Sequence, residues 1–202
     1  STDALDRAFG LSGLVVNLNK RFPDDPGKVF SLVAPLIEAH YVEEMRRTEE
    51  LPREFEAKMS AGEVETDTIR QGDKNLKAVI LSSDNVSLPG YLRSQQGGRF
   101  DIVLQWLSSG HANILTRPTK RPDLRGLVRT IRMKEIEIRG EKLPDDLPSL
   151  EKPGRIEKIP EWYYDPATNS IQNGGVNPHG IPPTKIPKGQ FKELLRNGLS
   201  SP

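Results

Sequence analysis

The densest cluster of groups that could hold an anion lies in a short turn near the middle of the chain. The turn reads Ser108-Ser109-Gly110-His111, and Asn113 follows it. A glycine beside small hydroxyl residues lets backbone N–H groups converge on an anion, and a histidine can donate to an oxyanion or act as an acid or base near neutral pH. Spacing alone favours a plain hairpin loop with a histidine at its edge, and the anion site is the alternative.

A basic segment follows this turn. Residues 117–134 hold seven positive side chains and one negative side chain. Within it, Arg125, Arg129 and Arg132 follow an i, i+4, i+7 spacing, which predicts three guanidinium groups on one face of a helix. Like charges placed in this way repel each other, and a bound phosphate, which suits the planar fork of arginine, would relieve that repulsion. The alternative is a solvated helix face whose arginines pair with carboxylates from elsewhere in the fold.

Asp84 and Asn85 follow a short apolar run at residues 76–81 that is typical of a buried strand. Ligands often bind where strands end, and a carboxylate there could bind a metal ion or a ribose. An Asx-turn explains the same two residues without any ligand. A further alternative is a free-standing enzyme in which His111 and Asp84 act as an acid and base pair, which requires both side chains to reach one substrate position.

The composition excludes several kinds of site. The chain has 3 histidines and no cysteine, and it lacks a His-x-x-x-His spacing, so we expect no metal site and no cofactor within this chain. The absence of cysteine also excludes disulfides and suits a reducing, cytosolic compartment. The formal net charge is +1, so any electrostatic site must come from local clustering. No apolar run is long enough to span a bilayer and no signal peptide is visible, so we expect no membrane partner.

The elements that must position these residues predict an α+β fold. Residues 1–62 are expected to form a helical lead, with a long apolar stripe at residues 28–61 that Pro35 interrupts or kinks. Residues 63–140 should form a small mixed or antiparallel sheet with helices on one face. The predicted strands cover about residues 63–70, 76–81, 100–106 and 112–116, and the predicted helices about residues 88–96 and 124–139.

The last part of the chain, residues 141–202, is rich in proline and lacks a long apolar pattern. We expect it to be an extended wrap, because prolines favour extended backbone and cannot donate to a ladder. A short hairpin across Asn173-Gly174-Gly175 and a final short helix carrying Phe191 are the expected exceptions.

One family resemblance rests on the order of these motifs. Gly97-Gly98, a strand, Ser109-Gly110-His111, a second strand and an arginine-bearing helix follow one another between residues 76 and 140. This layout resembles the C-terminal substrate-binding domain of the DHH-type phosphoesterases and related metal-dependent hydrolases. The resemblance implies that these five residues contact the phosphate of a substrate beside the metal centre of a separate catalytic domain. Because the Asp-His-His run of that domain is absent, it further implies either the recognition part of a longer enzyme, whose N-terminal catalytic domain is missing, or a relative without catalytic machinery.

We therefore expect this chain to bind a phosphorylated ligand, either a nucleotide or a nucleic-acid end. The expected site joins the turn at residues 108–113, with His111 at its centre, to Arg117, Arg125 and Arg129, and it contains no catalytic residue. A divalent metal ion would enter only with a separate catalytic domain.

The alternative is a protein interaction or assembly module without catalytic activity. In that interpretation the helix at residues 28–61 is the partner surface, and Met45, Leu51 and Phe55 lie at the interface of a homodimer.

Overall fold

A computed structural model of the protein describes residues 10–175 and 179–200. The chain divides into two compact units, one that ends at Pro52 and one that begins at Arg53. The first unit is helical, and the second contains the sheet.

The helical unit begins with α1 (Leu11–Arg21) and α2 (Pro26–Met45). Asp25 caps α2, because its carboxylate accepts the backbone N–H of Lys28 at 2.9 Å, and Pro26 occupies the first turn, where its missing N–H costs nothing. The two helices match the predicted helical lead. The predicted start of the first helix at Asp3 lies outside the described residues.

The predicted helix over residues 28–61 is interrupted at a different place from the one expected. Pro35 lies inside α2 without ending it. The interruption is a π-helical segment, Arg46–Glu50, which leads into α3 (Leu51–Ser60). Here the Leu51 N–H donates to the carbonyl of Arg46, five residues earlier. Pro52 has no N–H and its ring crowds the carbonyl four residues before it, which favours this wider turn.

The surface of α2 is apolar around much of its circumference. Val29 and Val33 are its buried residues, whereas Phe30 is 73% exposed, Tyr41 62% and Leu36 56%. A helix that is apolar on nearly all sides normally lies inside a larger core. In the described part of the chain, no helix is both long enough and apolar enough to cross a membrane.

The second unit is built on one seven-stranded sheet with the strand order β1-β2-β3-β4-β7-β6-β5. The pair β2–β3 is parallel and the other described pairs are antiparallel. The fold is therefore α+β with a mixed sheet, as predicted. The strands are β1 (Val64–Gln71), β2 (Lys74–Ser82), β3 (Ile102–Trp106), β4 (Ala112–Thr116), β5 (Gly154–Ile156), β6 (Ile159–Asp165) and β7 (Ser170–Asn173).

Helices cover this sheet and close its core. The short α4 (Leu88–Arg93) connects β2 to β3, α5 (Arg125–Ile138) follows β4, and α6 (Phe191–Ser200) ends the described chain. Apolar side chains of α5 and α6 join alternate residues of the strands in one buried cluster, so these two helices lie on one face of the sheet. The buried leucines of α4 lie outside that cluster, and alternation along β2 and β3 places α4 against the other face.

The expectation of an extended, proline-rich C-terminal wrap is not confirmed. Residues 154–173 supply β5, β6 and β7, and β7 pairs with β4 in the centre of the sheet. Residues 63–140 and 141–202 thus contribute strands to one sheet. The Trp162 ring is fully buried and packs against Phe191 at a centroid distance of 6.0 Å. The expected hairpin across Asn173-Gly174-Gly175 is not found among the described residues, because β7 ends at Asn173 and forms its hairpin with β6, which precedes it. The expected final helix at Phe191 is confirmed as α6.

Candidate functional site

The turn that carries His111 joins β3 to β4. The Leu107 N–H donates to the carbonyl of His111 at 2.8 Å, and the Gly110 N–H donates to the carbonyl of Leu107 at 3.0 Å. Gly110 has a φ of +80°, a left-handed conformation that glycine adopts without strain. The backbone of the turn therefore folds on itself as a hairpin loop.

The His111 side chain is committed to holding this loop in place. It is 5% exposed, and its Nε2 lies 2.9 Å from the carbonyl oxygen of Ile181. A carbonyl can only accept, so Nε2 carries the proton, and Nδ1, 2.9 Å from Ser109 Oγ, accepts from that hydroxyl. Both ring nitrogens thus have partners within the chain. In this structure His111 links the turn to the C-terminal segment by a hydrogen bond. Its imidazole is not left available to an anion, contrary to the expectation from the sequence.

Ser108 and Asp84 connect the loops that follow β3 and β2. The Ser108 N–H donates to Asp84 Oδ1 at 2.8 Å. This bond and a further one from the Ser108 side chain lower the pKa of Asp84 below 3.8. Because both nitrogens of His111 are occupied, the structure offers no free imidazole nitrogen for an acid and base pair with Asp84.

Asn113 lies on β4, on the face of the sheet opposite the main core cluster. It is 3% exposed, and its Oδ1 atom is buried with no hydrogen-bond partner among the described residues. Its neighbours in register are Gln105 on β3 and Gln172 on β7. Three amide side chains therefore stand in a row across the sheet, away from the charged residues of the expected site.

Gly97 and Gly98 lie in the loop between α4 and β3. A Cβ on Gly97 would lie 2.1 Å from the carbonyl oxygen of Tyr91, so Gly97 is required for close packing of the loop on α4. The loop precedes β3, whereas the Ser108 turn follows it. A five-residue strand spans roughly 16 Å, so the glycine pair and the histidine turn lie at opposite ends of β3.

The structure also separates the histidine turn from the basic segment, because β4 lies between them. Arg117 follows β4 and donates to the buried carboxylate of Asp101 at 2.5 Å. The second oxygen of Asp101 accepts the Lys77 N–H at 3.0 Å. Arg117 therefore pairs with a core-edge carboxylate and stabilises the sheet.

Arg132 does not share the surface with Arg125 and Arg129, although their spacing predicted it. It is fully buried and donates to four backbone carbonyls at 2.6 to 3.0 Å. Burial lowers the pKa of Arg132 to about 10, so it remains charged at neutral pH. Two carbonyl oxygens before β5, one of β5 and one of β6 take the place of the anion that the sequence pattern suggested.

A cleft of about 640 Å³ opens at the N-terminus of α5, and we refer to it as the α5 cleft. Lys74, Arg121, Arg125 and Arg129 bring four positive side chains to it from three parts of the chain. The cleft is lined by Gln71, Gly72, Asp73, Lys74, Arg121, Asp123, Arg125, Gly126, Arg129, Glu151, Gly198 and Ser200.

A pair of reciprocal hydrogen bonds brings the walls of the α5 cleft together. Gln71 Nε2 donates to the carbonyl of Asp123 at 2.8 Å, and the Asp123 N–H donates to Gln71 Oε1 at 2.8 Å. These bonds place the β1–β2 turn, which carries Lys74, beside the first turn of α5. The sequence pattern indicated Arg125 and Arg129, but no local signal pointed to Lys74, since the contact spans about fifty residues.

Two of the four cations in the α5 cleft have carboxylate partners. Arg125 contacts Asp123 at 2.6 Å and Arg129 contacts Glu151 at 2.8 Å. Hydrogen bonds from Arg125 lower the pKa of Asp123, so that carboxylate is ionised near neutral pH. Arg121 donates to the carbonyl of Pro166 at 2.8 Å, and Lys74 has no ion pair within the described ranges. The alternative of a helix face paired with carboxylates is thus partly realised here.

No group of three or more histidine, aspartate or glutamate side chains within residues 10–175 and 179–200 is arranged to hold a metal ion. Comparison with protein-family models, with curated proteins and with solved structures gave no match to this chain.

Proposed function

We propose that this protein binds a phosphorylated ligand, a nucleotide or a nucleic-acid end, with the phosphate in the α5 cleft. The observation that carries the proposal is the convergence of four cationic side chains on the N-terminus of a 14-residue helix. Phosphate groups bind at helix N-termini because the first N–H groups and the helix dipole favour negative charge.

Arg125 and Arg129 can bind a phosphate although each is paired with a carboxylate. A guanidinium has five N–H donors, and the carboxylates Asp123 and Glu151 engage only some of them. The Arg125 side chain is 65% exposed, so its present ion pair is weak and a doubly charged phosphate competes with it effectively. Lys74 adds a mobile point charge on the opposite wall.

In this proposal the chain is the recognition part of a phosphoesterase-like protein. A divalent metal ion and the chemistry of hydrolysis would come from a separate catalytic domain. We expect the chain alone to bind phosphate without turning it over.

Titration calorimetry with inorganic phosphate and with a short 5′-phosphorylated oligonucleotide tests the proposal. Lys74→Ala and Arg125→Ala should each weaken binding roughly tenfold, which corresponds to about 1.4 kcal/mol, and should lower the salt dependence. Lys134→Ala is the matched control, because Lys134 is a half-buried cation further along the same helix, outside the cleft. Equal affinity in the wild type and both cleft variants would refute the assignment.

A second candidate function, assembly with another copy of this chain, is favoured by the exposed apolar surface of α2. Two residues of the interface expected from the sequence are already packed within the chain. Leu51 is 1% exposed, and the Phe55 ring packs edge-on against Phe100 at 6.2 Å. The accessible residues are Phe30 and Tyr41 on α2, together with Leu36, Ile37 and Val42.

A second copy is the occupant that fits this surface best. With 20 residues α2 is about 30 Å long and with 11 residues α1 is about 16 Å long, each about 10 Å wide. Side by side they present on the order of 450 Å², a little over half of the roughly 800 Å² that each partner buries in a standard interface. Two helices alone cannot enclose a core, but two such pairs form a four-helix arrangement.

Light scattering coupled to gel filtration tests this second candidate. The wild type should be a dimer, and Phe30→Asp or Tyr41→Asp should give a monomer. Met59→Asp, at an exposed apolar residue of α3, should leave the dimer intact. A monomeric wild type, or a dimer that survives both α2 substitutions, would exclude it.

A further inference from the structure

A second cleft, of about 430 Å³, lies at the carboxyl ends of β2 and β3, and we refer to it as the β2–β3 cleft. These two strands are parallel, so the loops that follow them leave the same edge of the sheet. Ligands bind preferentially at such edges, where loop side chains converge over strand ends. Glu54, Lys58, Asp84, Trp106 and Ser108 are the lining residues that determine its chemistry.

The walls of the β2–β3 cleft are held in place by hydrogen bonds. Glu54 accepts the Ser83 hydroxyl at 2.6 Å on one oxygen and the Asn85 amide at 2.7 Å on the other. Behind the loop, Gln105 donates to the carbonyl oxygens of Ser83 at 2.8 Å and Asn85 at 3.0 Å. Together with the bond from Ser108 to Asp84 at 2.8 Å, these contacts fix the loop before any ligand arrives. A fixed loop lowers the entropy lost on binding.

Both carboxylates of the cleft retain capacity to accept hydrogen bonds. A carboxylate has about four acceptor positions, and Glu54 uses two of them within the protein. Asp84 is exposed, and among the described residues only Ser108 donates to it. A ligand rich in O–H donors would satisfy the remaining positions.

Trp106 adds an aromatic wall to the cleft. It is half-buried, and its ring contacts Phe191 at 5.6 Å in an edge-on arrangement. An indole at a cleft offers an apolar surface against which a flat ring can pack. The combination of acceptors and an aromatic wall therefore suits a ring that carries hydroxyl groups.

The charges of the cleft disfavour the other ligand classes. Two carboxylates are balanced by Lys58 and by Lys188, whose ammonium group donates to Ser82 in the wall at 2.8 Å, so the cleft has no excess of positive charge to favour a phosphate. Both oxygens of Glu54 already accept from protein donors, and the positive charge of Lys58 lies close enough to lower the pKa of Asp84. A free divalent cation would have to displace those donors and bind beside that lysine.

We propose that the β2–β3 cleft binds a neutral ring ligand with a vicinal diol, a pyranose or the ribose of a nucleoside. Asp84 accepts from the diol and Trp106 packs against the ring. The site stands apart from the phosphate site, since Lys74 of the α5 cleft begins β2 and Ser82 ends it, a separation of roughly 26 Å. A mononucleotide cannot span that distance, so each proposal can fail without the other.

The two tryptophans make the test specific, because Trp162 is fully buried and Trp106 is not. Two-dimensional NMR on ¹⁵N-labelled protein would follow both indole N–H signals, with Trp106→Phe as the assignment control. Titration with adenosine or with methyl glucoside should move the Trp106 signal and leave the Trp162 signal in place. A response to adenosine alone identifies a nucleoside site, and a response to the glucoside alone identifies a sugar site.

Matched ligands and variants test the diol contact. 2′-Deoxyadenosine, which lacks the diol, should bind at least tenfold more weakly than adenosine if the nucleoside is the ligand. Asp84→Asn should weaken either ligand by a similar factor, whereas Asp73→Asn, at the α5 cleft, should not. An unchanged signal of the buried Trp162 indole serves as the check that Asp84→Asn folds. No movement of the Trp106 signal with either ligand, or full affinity of Asp84→Asn, would overturn the proposal.

Discussion

Arg132 is a guanidinium in the core that ties the C-terminal strands to α5, and its replacement should strongly destabilise the fold. Its Nη1 atom donates to the carbonyls of Leu150 at 2.7 Å and Lys152 at 2.8 Å. Its Nη2 atom donates to those of Gly154 at 2.6 Å and Trp162 at 3.0 Å. Arg132→Met keeps most of the aliphatic stem and removes all four hydrogen bonds.

The size of the loss follows from the burial of the four acceptors. A buried acceptor left without a donor costs about 1–3 kcal/mol. The bonds to Leu150 and Trp162 are fully buried, and water can reach the other two carbonyls more readily. Removal of a buried charge, whose burial lowers the pKa of Arg132 to about 10, returns part of that loss. We expect a decrease of about 2–4 kcal/mol in the free energy of unfolding.

Urea unfolding followed by tryptophan emission is the assay, because both tryptophans lie in the sheet unit. For a chain of this length the same loss lowers the melting temperature by about 5–15 °C. Lys134→Met, two residues further along α5 and on its partly exposed side, should change stability by less than about 0.5 kcal/mol. A loss below about 1 kcal/mol for Arg132→Met would refute the view that these carbonyls depend on Arg132.

Three further substitutions test other contacts of the sheet unit. His111→Phe should destabilise the fold by about 1–3 kcal/mol, because the Ile181 carbonyl loses its donor. Calorimetry should show unchanged phosphate affinity for this variant. Weaker phosphate binding would indicate that His111 belongs to the phosphate site. Gly97→Ala should be strongly destabilising in thermal unfolding, since its Cβ would lie 2.1 Å from the carbonyl oxygen of Tyr91. Gly90→Ala should be neutral or stabilising, because beyond its own helix backbone and chain neighbours no described atom lies within 4 Å of the added Cβ. Similar effects of the two substitutions would contradict the packing. Hydrogen bonds from Arg196 lower the pKa of Asp67 below 3.8, so their contribution is present above that pH and is lost as the pH falls through the lowered pKa. The stability difference between wild type and Asp67→Asn should therefore shrink in acid, and a difference independent of pH would argue against the pair.

Local sequence patterns were sufficient to predict most elements of the fold. The apolar run at residues 76–81 lies within β2, and the stripe that begins at Leu124 continues as α5. These signals are local, because an element that buries one face has apolar residues at regular spacing along its own sequence. The π-helical segment before Pro52 also has a local cause, although Pro35 gives the same signal without interrupting its helix.

The partners of polar side chains could not be predicted in the same way. Arg132 donates to carbonyls that lie 18 to 30 residues away in the sequence, and His111 contacts Ile181 at a separation of 70 residues. Local residue spacing cannot predict such contacts. The prolines of the C-terminal segment suggested extended backbone, but extended backbone also serves a strand when its partner, here β4, lies elsewhere in the chain. Lys74 could not be predicted as a residue of the α5 cleft either, because the long-range contact of Gln71 with Asp123 brings it there.

The location of the phosphate site can be tested most directly by titrating ¹⁵N-labelled protein with inorganic phosphate and following the backbone amides of three glycines. Gly72 and Gly126 line the α5 cleft, whereas Gly110 lies in the histidine turn at the other end of β4. We predict that the signals of Gly72 and Gly126 move with a common affinity and that Gly110 does not respond. Movement of Gly110 alone, or no movement of any of the three, would contradict the proposal that the α5 cleft binds phosphate.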